Sequence, residues 1–248
     1  MLRWTIRTTW LATGMLAAVW AGFCLPILAK QAPLEAIAKR VTARESYQPG
    51  SLSDFGAAAI WSDRKWQHPS VLVSRAAIDL RLLERAMALS DTSKIDGLLT
   101  ESETTIQRSL AVVPADPFLW TVYFWVENNR LGFKLAHLNY LRRSYETGPS
   151  EGWVAVSRGR FALALFTVLP PDMADMAVDE FSRLVASHFY GPAIDLLSRQ
   201  SEPLASRLLA SLGPVEFENR QNFATAAYRR GYDWQVPGVN RREWRPWH

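Results

Sequence analysis

The sequence predicts an all-α protein. After residue 69, apolar side chains recur three or four positions apart, which is the period of a helix, and no stretch alternates with period two for long enough to form a sheet. A similar phrase also occurs twice, 35 residues apart, with a proline between two helical patterns in each copy. We therefore expect an N-terminal apolar helix, a domain of repeated helical hairpins, and further helices that cap the last repeat.

The composition of the chain excludes several classes of protein. The chain has 248 residues, 48% hydrophobic and 21% charged, so it can bury a core. Its net charge of +4 is too small to predict nucleic-acid binding. The single cysteine, Cys24, excludes an intrachain disulfide and a thiolate metal cluster. The 11 tryptophans suit large packed interfaces or a surface that holds a ring-shaped ligand.

The first element is an uncharged apolar stretch, "TTWLATGMLAAVWAGFCLPILA", at residues 8–29. A helix of this length, at about 1.5 Å per residue, spans the bilayer core of about 30 Å, which predicts a membrane anchor. The alternative is a cleaved signal peptide, but Phe23 and Ile27 spoil the small residues that a cleavage site requires. Basic residues flank both ends, so charge does not fix the topology. Because long domains translocate largely regardless of such charge, we expect a single-pass protein of the bacterial inner membrane with a periplasmic domain.

Four segments follow from this organisation. They are a membrane anchor or signal segment at 1–30, a juxtamembrane helix and linker at 31–68, a helical repeat domain at 69–231, and a basic aromatic tail at 232–248. In the second segment, residues 32–47 form an amphipathic pattern that ends at the turn sequence "QPGS". In the third, Pro69 suits the first turn of a helix, and a second helical pattern covers residues 95–113.

The repeated phrase predicts two helical hairpins. "RSLAVVPADPFLW" at 108–120 matches "RSYETGPSEGW" at 143–153, and in each copy a helix ends, a proline follows, and a new helix begins near an acidic residue. The turns inside the hairpins are expected at "NNRLGF", 128–133, and "LPPDM", 169–173. One hairpin cannot bury its apolar face alone, so we expect the two to stack.

This arrangement resembles the tetratricopeptide repeat family, in which helix-turn-helix units of about 34 residues often end on a proline and place a large residue early in the first helix. The likeness covers residues 95–190 in two units, and the small residues of the second helix are matched only in part, at Ala136 and Ser144. "PADPFLW", "RSYETGPSEGW", "RGRFALAL" and "LPPDM" also resemble membrane-anchored proteins found with exopolysaccharide and envelope-glycan genes in alphaproteobacteria. The resemblance implies a scaffold role and no catalytic residues.

After the hairpins, residues 176–231 predict three more helices, separated at Gly191-Pro192, Glu202-Pro203 and Gly213-Pro214, which we expect to cap the last repeat. The tail from 232 contains prolines, aromatic residues and arginines and is expected to be extended.

No pattern of catalytic residues is present. The four histidines are far apart, and the sequence lacks a nucleophile elbow, a phosphate loop and a dinucleotide fingerprint. The acids Asp172 and Asp175 suit the first turn of a helix, and Asp179 and Glu180 suit its solvated face. We therefore expect no enzyme activity, no metal and no cofactor.

Two groups of residues are candidates for partner binding. The first lies on the opening helices of the two hairpins, where aromatic rings and guanidinium groups suit a carbohydrate or an acidic peptide. Its members are Trp120, Tyr123, Phe124, Trp125, Trp153, Arg158 and Arg160. The second group lies at the C-terminal end and suits anionic lipid, an acidic glycan or a groove on a partner. Its members are Arg229, Arg230, Trp234, Arg241, Arg242, Trp244, Arg245 and Trp247. The alternatives are that the aromatic residues form the hairpin core and that the tail folds back on the domain.

These observations predict a membrane-anchored adaptor that binds protein partners, in envelope polysaccharide synthesis or export. The anchor would raise the local concentration of its partner. The alternatives are a glycan-binding module and a carbohydrate-active enzyme, of which the second requires two carboxylates that face one cleft.

Overall fold

The computed structural model describes residues 10, 11, 13–25 and 69–240. All regular structure in these ranges is helical, which confirms the predicted all-α class for this part of the chain. From residue 69 onward the α-helices are α1 (Pro69–Ala88), α2 (Thr92–Val112), α3 (Pro117–Leu131), α4 (Leu138–Thr147), α5 (Gly152–Ala164), α6 (Pro171–Ala186), α7 (Tyr190–Leu197), α8 (Leu204–Ala210) and α9 (Phe217–Arg229). Short 3-10 helices at Leu135–His137 and Phe166–Val168 precede α4 and α6.

Residues 13–25 of the predicted anchor are helical, and most of their large apolar side chains are exposed. Among the described residues, no helix combines the length and the apolar character needed to cross a membrane. Residues 8, 9, 12 and 26–29 of the predicted anchor lie outside the described ranges, as do the predicted juxtamembrane helix and linker.

The chain divides into two compact units, with the boundary between Val112 and Val113, inside the segment 69–231 that the sequence analysis treats as one domain. In the first unit, α1 and α2 pack together through buried side chains such as Ile78, Leu83 and Ile106. A guanidinium group also joins the two helices, because Arg75 pairs with Asp79 on α1 and with Glu101 on α2.

Asp79 predicts a pH dependence for this pair of helices. Burial raises the pKa of its carboxyl from 3.8 to about 6, and the positive charge of Arg75 opposes that shift. The pKa of the Asp79 carboxyl is higher in the folded state than in the unfolded state, so its protonation favours folding. This stabilisation is fully present below about pH 4 and disappears as the pH rises through about 6. We expect α1 and α2 to lose about 2–3 kcal/mol of stability between about pH 4 and pH 7.

Hydrogen exchange of the amides in α1 and α2, corrected for the intrinsic rate at each pH, measures this loss as a falling free energy of opening. Asp79→Asn is the control, since an amide does not titrate, and it should remove most of the slope. An equal slope in Asp79→Asn would assign the pH dependence to other groups.

The second unit contains two helical hairpins, formed by α3 with α4 and by α5 with α6. Their first helices begin 35 residues apart, at Pro117 and Gly152, as the repeated phrase predicts. The two starts differ in chemistry. Asp116 caps α3 by accepting a hydrogen bond from the Leu119 amide, whereas Glu151 precedes α5 without a side-chain cap.

The last helices, α7 to α9, pack onto the same hydrophobic core as the hairpins. The predicted break at Gly191-Pro192 is wrong, because both residues lie inside the first turn of α7. A proline is tolerated there since the first amides of a helix have no partner within it. The breaks at Glu202-Pro203 and Gly213-Pro214 do fall between helices, as predicted.

Residues 232–240 fold back on α9. The ring of Trp234 stacks on Phe223 with 6.3 Å between centroids, and Val236 is buried. Arg220 donates a hydrogen bond to the carbonyl of Pro237. This part of the predicted tail is therefore packed against the domain, while Arg241, Arg242 and Trp244 lie outside the described residues.

Candidate functional site

Helix α3 buries some of its aromatic side chains and leaves others partly exposed. Phe118 and Phe124 are buried, as is Val122. Trp120 and Tyr123, which are three positions apart, are only partly buried. The same helix therefore supplies both the hairpin core and an aromatic surface.

Tyr140 of α4 completes this surface, and we call Trp120, Tyr123 and Tyr140 the aromatic patch. The rings of Tyr123 and Tyr140 lie 4.4 Å apart, centroid to centroid, and Trp120 lies 6.2 Å from Tyr140 in a nearly parallel orientation of 14°. The indole of Trp120 is held by a hydrogen bond of 2.8 Å from its nitrogen to the Pro114 carbonyl. The three rings thus form one partly exposed cluster on one hairpin.

A polar pair supports the patch from the turn of the hairpin. The ring of His137 lies 6.0 Å from that of Tyr140, and its Nδ1 atom is 3.1 Å from the side-chain oxygen of Asn128. Asn128 also donates to the carbonyl of Phe124, one turn earlier in α3. Because His137 is buried and bonded in this way, it positions Tyr140 and is not itself available as a surface ligand.

The structure corrects the prediction that Arg158 belongs to a binding surface. Its side chain is 0% exposed and forms an ion pair with Glu180, which is 2% exposed. The Nε atom donates to Glu180, one terminal nitrogen donates to the carbonyl and hydroxyl of Ser144, and the other donates to Glu180 and to the Gly148 carbonyl. All five guanidinium donors are therefore satisfied inside the protein.

Glu180 likewise departs from its predicted place on a solvated helix face. Burial raises the pKa of its carboxyl, and the hydrogen bonds from Arg158 oppose that shift. The guanidinium carbon lies 4.2 Å from the centre of the Tyr145 ring. Burial, and next the charge of Glu180, raise the pKa of the Tyr145 hydroxyl well above its ordinary value. This buried group is unlike a surface that could receive a ligand.

The buried pair extends into a network that joins four helices. The Ser144 hydroxyl lies 2.7 Å from the hydroxyl of Thr121, and both hydroxyls donate to the Pro117 carbonyl at the start of α3. Arg158 of α5 then connects Ser144 of α4 to Glu180 of α6. We call these five residues, Thr121, Ser144, Tyr145, Arg158 and Glu180, the buried polar network. Its position between the two hairpins indicates a structural role.

The other predicted residues do not extend the aromatic patch. Trp125 is partly buried and lies about 140° around α3 from Trp120, at 100° per residue. Trp153 is 43% exposed and packs on Phe118 with 4.9 Å between ring centroids. Arg160 is partly buried on α5. The structure thus brings together two of the predicted residues and adds Tyr140, which the sequence analysis missed.

Tyr140 was missed because its place beside Trp120 and Tyr123 depends on the register of α4 against α3. Chemically, the patch can stack on a flat apolar surface or receive aliphatic and aromatic side chains. Among the described residues, no group of three or more His, Cys, Asp or Glu side chains could hold a metal ion. Comparison with protein-family models, with curated proteins and with solved structures gives no significant match.

Proposed function

We propose that this protein is a membrane-attached helical adaptor that binds a protein partner through the aromatic patch. Trp120, Tyr123 and Tyr140 carry the proposal, because they form the aromatic cluster that the first hairpin leaves partly exposed. Tryptophan and tyrosine contribute most of the binding energy in many protein interfaces, since their large rings lose little conformational freedom on burial. The process we propose is synthesis or export of envelope polysaccharide.

Two hairpins whose first helices begin 35 residues apart support an architecture like that of tetratricopeptide repeats. In such arrays the first helices of successive hairpins line a common surface, and α3 is the first helix of its hairpin. The buried polar network holds the two hairpins in one arrangement, so that a partner meets a fixed platform and loses less entropy on binding.

Membrane attachment is the second part of the proposal and rests on the charge-free sequence at residues 8–29. We place the helical domain in the periplasm, where a single-pass anchor would keep the patch close to partners in the same membrane. Confinement of this kind raises the effective concentration and can replace high intrinsic affinity.

The test is affinity purification of the full chain from its native membrane in mild detergent, with mass spectrometry of the recovered proteins. We compare the wild type with the double variant Trp120→Ala/Tyr123→Ala. Because loss of an aromatic anchor typically costs 2 kcal/mol or more, recovery of the specific partner should fall by about 30-fold.

The matched control is Trp125→Ala/Tyr228→Ala, which removes the same two residue types from positions outside the aromatic patch and should retain the partner. Far-UV circular dichroism must show the same helix content in both double variants. Equal recovery of every protein from the two variants would refute binding through the patch.

Glycan binding is a second candidate, because the partly exposed rings of Trp120 and Tyr140 are of the kind on which sugar rings stack. Titration of the full chain with acidic and neutral oligosaccharides should then change the tryptophan fluorescence. Trp120→Phe would remove that change if the patch is the site. No response to either oligosaccharide leaves the protein partner as the ligand.

A further inference from the structure

The turn of the first hairpin exposes a run of apolar side chains. Leu131 is 45% exposed, Phe133 is 43% exposed and Leu135 is 68% exposed, and all six residues from 131 to 136 are exposed. We call residues 131–136 the tip loop. The three large side chains are separated only by Gly132 and Lys134, so they form one local apolar projection and not scattered surface positions.

The geometry of the turn does not require these residues. Gly132 supplies the positive φ of 72° with which α3 ends, and its neighbours have ordinary backbone angles that polar residues adopt equally well. A turn between helices is usually polar, and leucine and phenylalanine exposed to water are unfavourable there. An apolar turn therefore points to a surface that covers it.

The tip loop carries one charged side chain, Lys134. The other basic residues between 128 and 145 each pair with a carboxylate: Arg130 with Glu127, Arg142 with Asp172 and Arg143 with Glu146. Lys134 lies within the loop, is exposed, and forms no ion pair with any described residue. A cationic group between apolar side chains suits a surface that is apolar inside and anionic outside.

Size and shape distinguish a lipid surface from a folded protein. A stable interface between proteins buries about 800 Å² on each partner, so a protein that covered the tip loop would have to contact much more of the domain than these six residues. Insertion into the boundary between headgroups and acyl chains needs only a few apolar side chains, with lysine at headgroup depth. The tip loop has these features.

We propose that the tip loop docks the domain on a membrane surface that contains anionic lipid. Leu131, Phe133 and Leu135 enter the apolar boundary, and Lys134 pairs with lipid phosphates. The proposal rests on the membrane attachment proposed above, since a short loop adds to the binding of an anchored chain and is weak by itself.

The experiment uses the full chain in lipid vesicles with the native cysteine replaced, Cys24→Ser. An environment-sensitive fluorophore is attached to a single new cysteine at Leu135→Cys in the tip loop. The matched control carries the label at Phe217→Cys, an exposed aromatic position on α9 in the same unit. The vesicles contain phosphatidylcholine alone or phosphatidylcholine with phosphatidylglycerol, and brominated acyl chains report contact with the membrane interior.

With phosphatidylglycerol, fluorescence at position 135 should rise by at least about twofold and be quenched by the brominated chains, while position 217 stays unchanged. Adding Lys134→Glu should weaken the response by roughly fivefold or more, because each basic residue near an anionic surface contributes about that factor. An equal response at both positions, or an equal response without phosphatidylglycerol, would overturn the proposal.

Flotation of the vesicles distinguishes failure of the tip-loop docking from failure of the proposed membrane attachment. If the protein floats with them and position 135 still reports water, the tip loop does not dock while the membrane attachment stands. If the protein does not float, both proposals fail. A fluorescence change produced only by a purified protein partner would assign the tip loop to that partner and reject lipid binding.

Discussion

Arg158→Met is expected to destabilise the second unit by about 3–5 kcal/mol, which is typical of removing one partner from a buried ion pair. Stability is lost because the groups that pair with Arg158 remain buried without a partner. Glu180 would remain buried without its cation, and the Ser144 and Gly148 carbonyls would each lose a donor. Since whole domains are stable by only about 5–15 kcal/mol, this substitution removes a large share of that stability.

Urea denaturation of the full chain in mild detergent, followed by tryptophan fluorescence, measures the change as a lower transition midpoint. Arg143→Met is the matched control, because Arg143 on α4 is exposed and pairs with Glu146 only at the surface. Its effect should stay below about 1 kcal/mol, as for other surface ion pairs. A similar loss of stability in both variants would show that the buried ion pair stabilises the unit no more than a surface ion pair does.

The double variant Arg158→Met/Glu180→Leu tests whether the unpaired carboxylate of Glu180 causes the loss of stability. Apolar residues of similar volume often replace a buried ion pair at little cost, so the double variant should recover much of the stability lost in Arg158→Met. In the single variant, burial acts on Glu180 without the opposing effect of Arg158, so the pKa of that carboxyl should rise further. The single variant should therefore gain stability as the pH falls, because the folded state then binds the proton more tightly than the unfolded state.

The sequence contains a signal for this buried pair. In α5, Val154, Arg158 and Ala162 follow one another at helical spacing, and in α6 the same holds for Ala177, Glu180 and Leu184. Each charged residue thus lies within the apolar stripe of its helix. Opposite charges in the stripes of two helices of one hairpin predict a buried ion pair, whereas each residue considered alone resembles a solvated one.

The helical class and the start of each hairpin could be predicted because they depend on local properties, namely the apolar period and prolines such as Pro117. The aromatic patch could be predicted only in part. Trp120 and Tyr123 share a helix, but Tyr140 joins them through the register of α4 against α3, which no local pattern specifies. The same reason explains why Trp234 could not be placed on Phe223 from the sequence.

Gly148→Ala is expected to destabilise the second unit by about 2–3 kcal/mol through overpacking. A β-carbon at this position would lie 2.3 Å from Cγ of Pro117 and 2.7 Å from its Cβ, and a proline ring cannot rotate away. The backbone angle φ of −150° is not in the left-handed region, so the close contact is the main cause of the loss. Because the Pro117 carbonyl accepts hydrogen bonds from Thr121 and Ser144, displacing Pro117 also disturbs the buried polar network.

Gly213→Ala provides the comparison in the same unit, since the nearest atom to its β-carbon would be the Ala210 carbonyl oxygen at an ordinary 3.4 Å. Its free energy of unfolding, measured by urea denaturation, should differ from that of the wild type by less than about 0.5 kcal/mol. Combining Gly148→Ala with Pro117→Ala removes the nearest ring atom and should restore part of the loss. If Gly148→Ala unfolds at the wild-type midpoint, the close approach of the end of α4 to Pro117 at the start of α3 does not limit the packing of this unit.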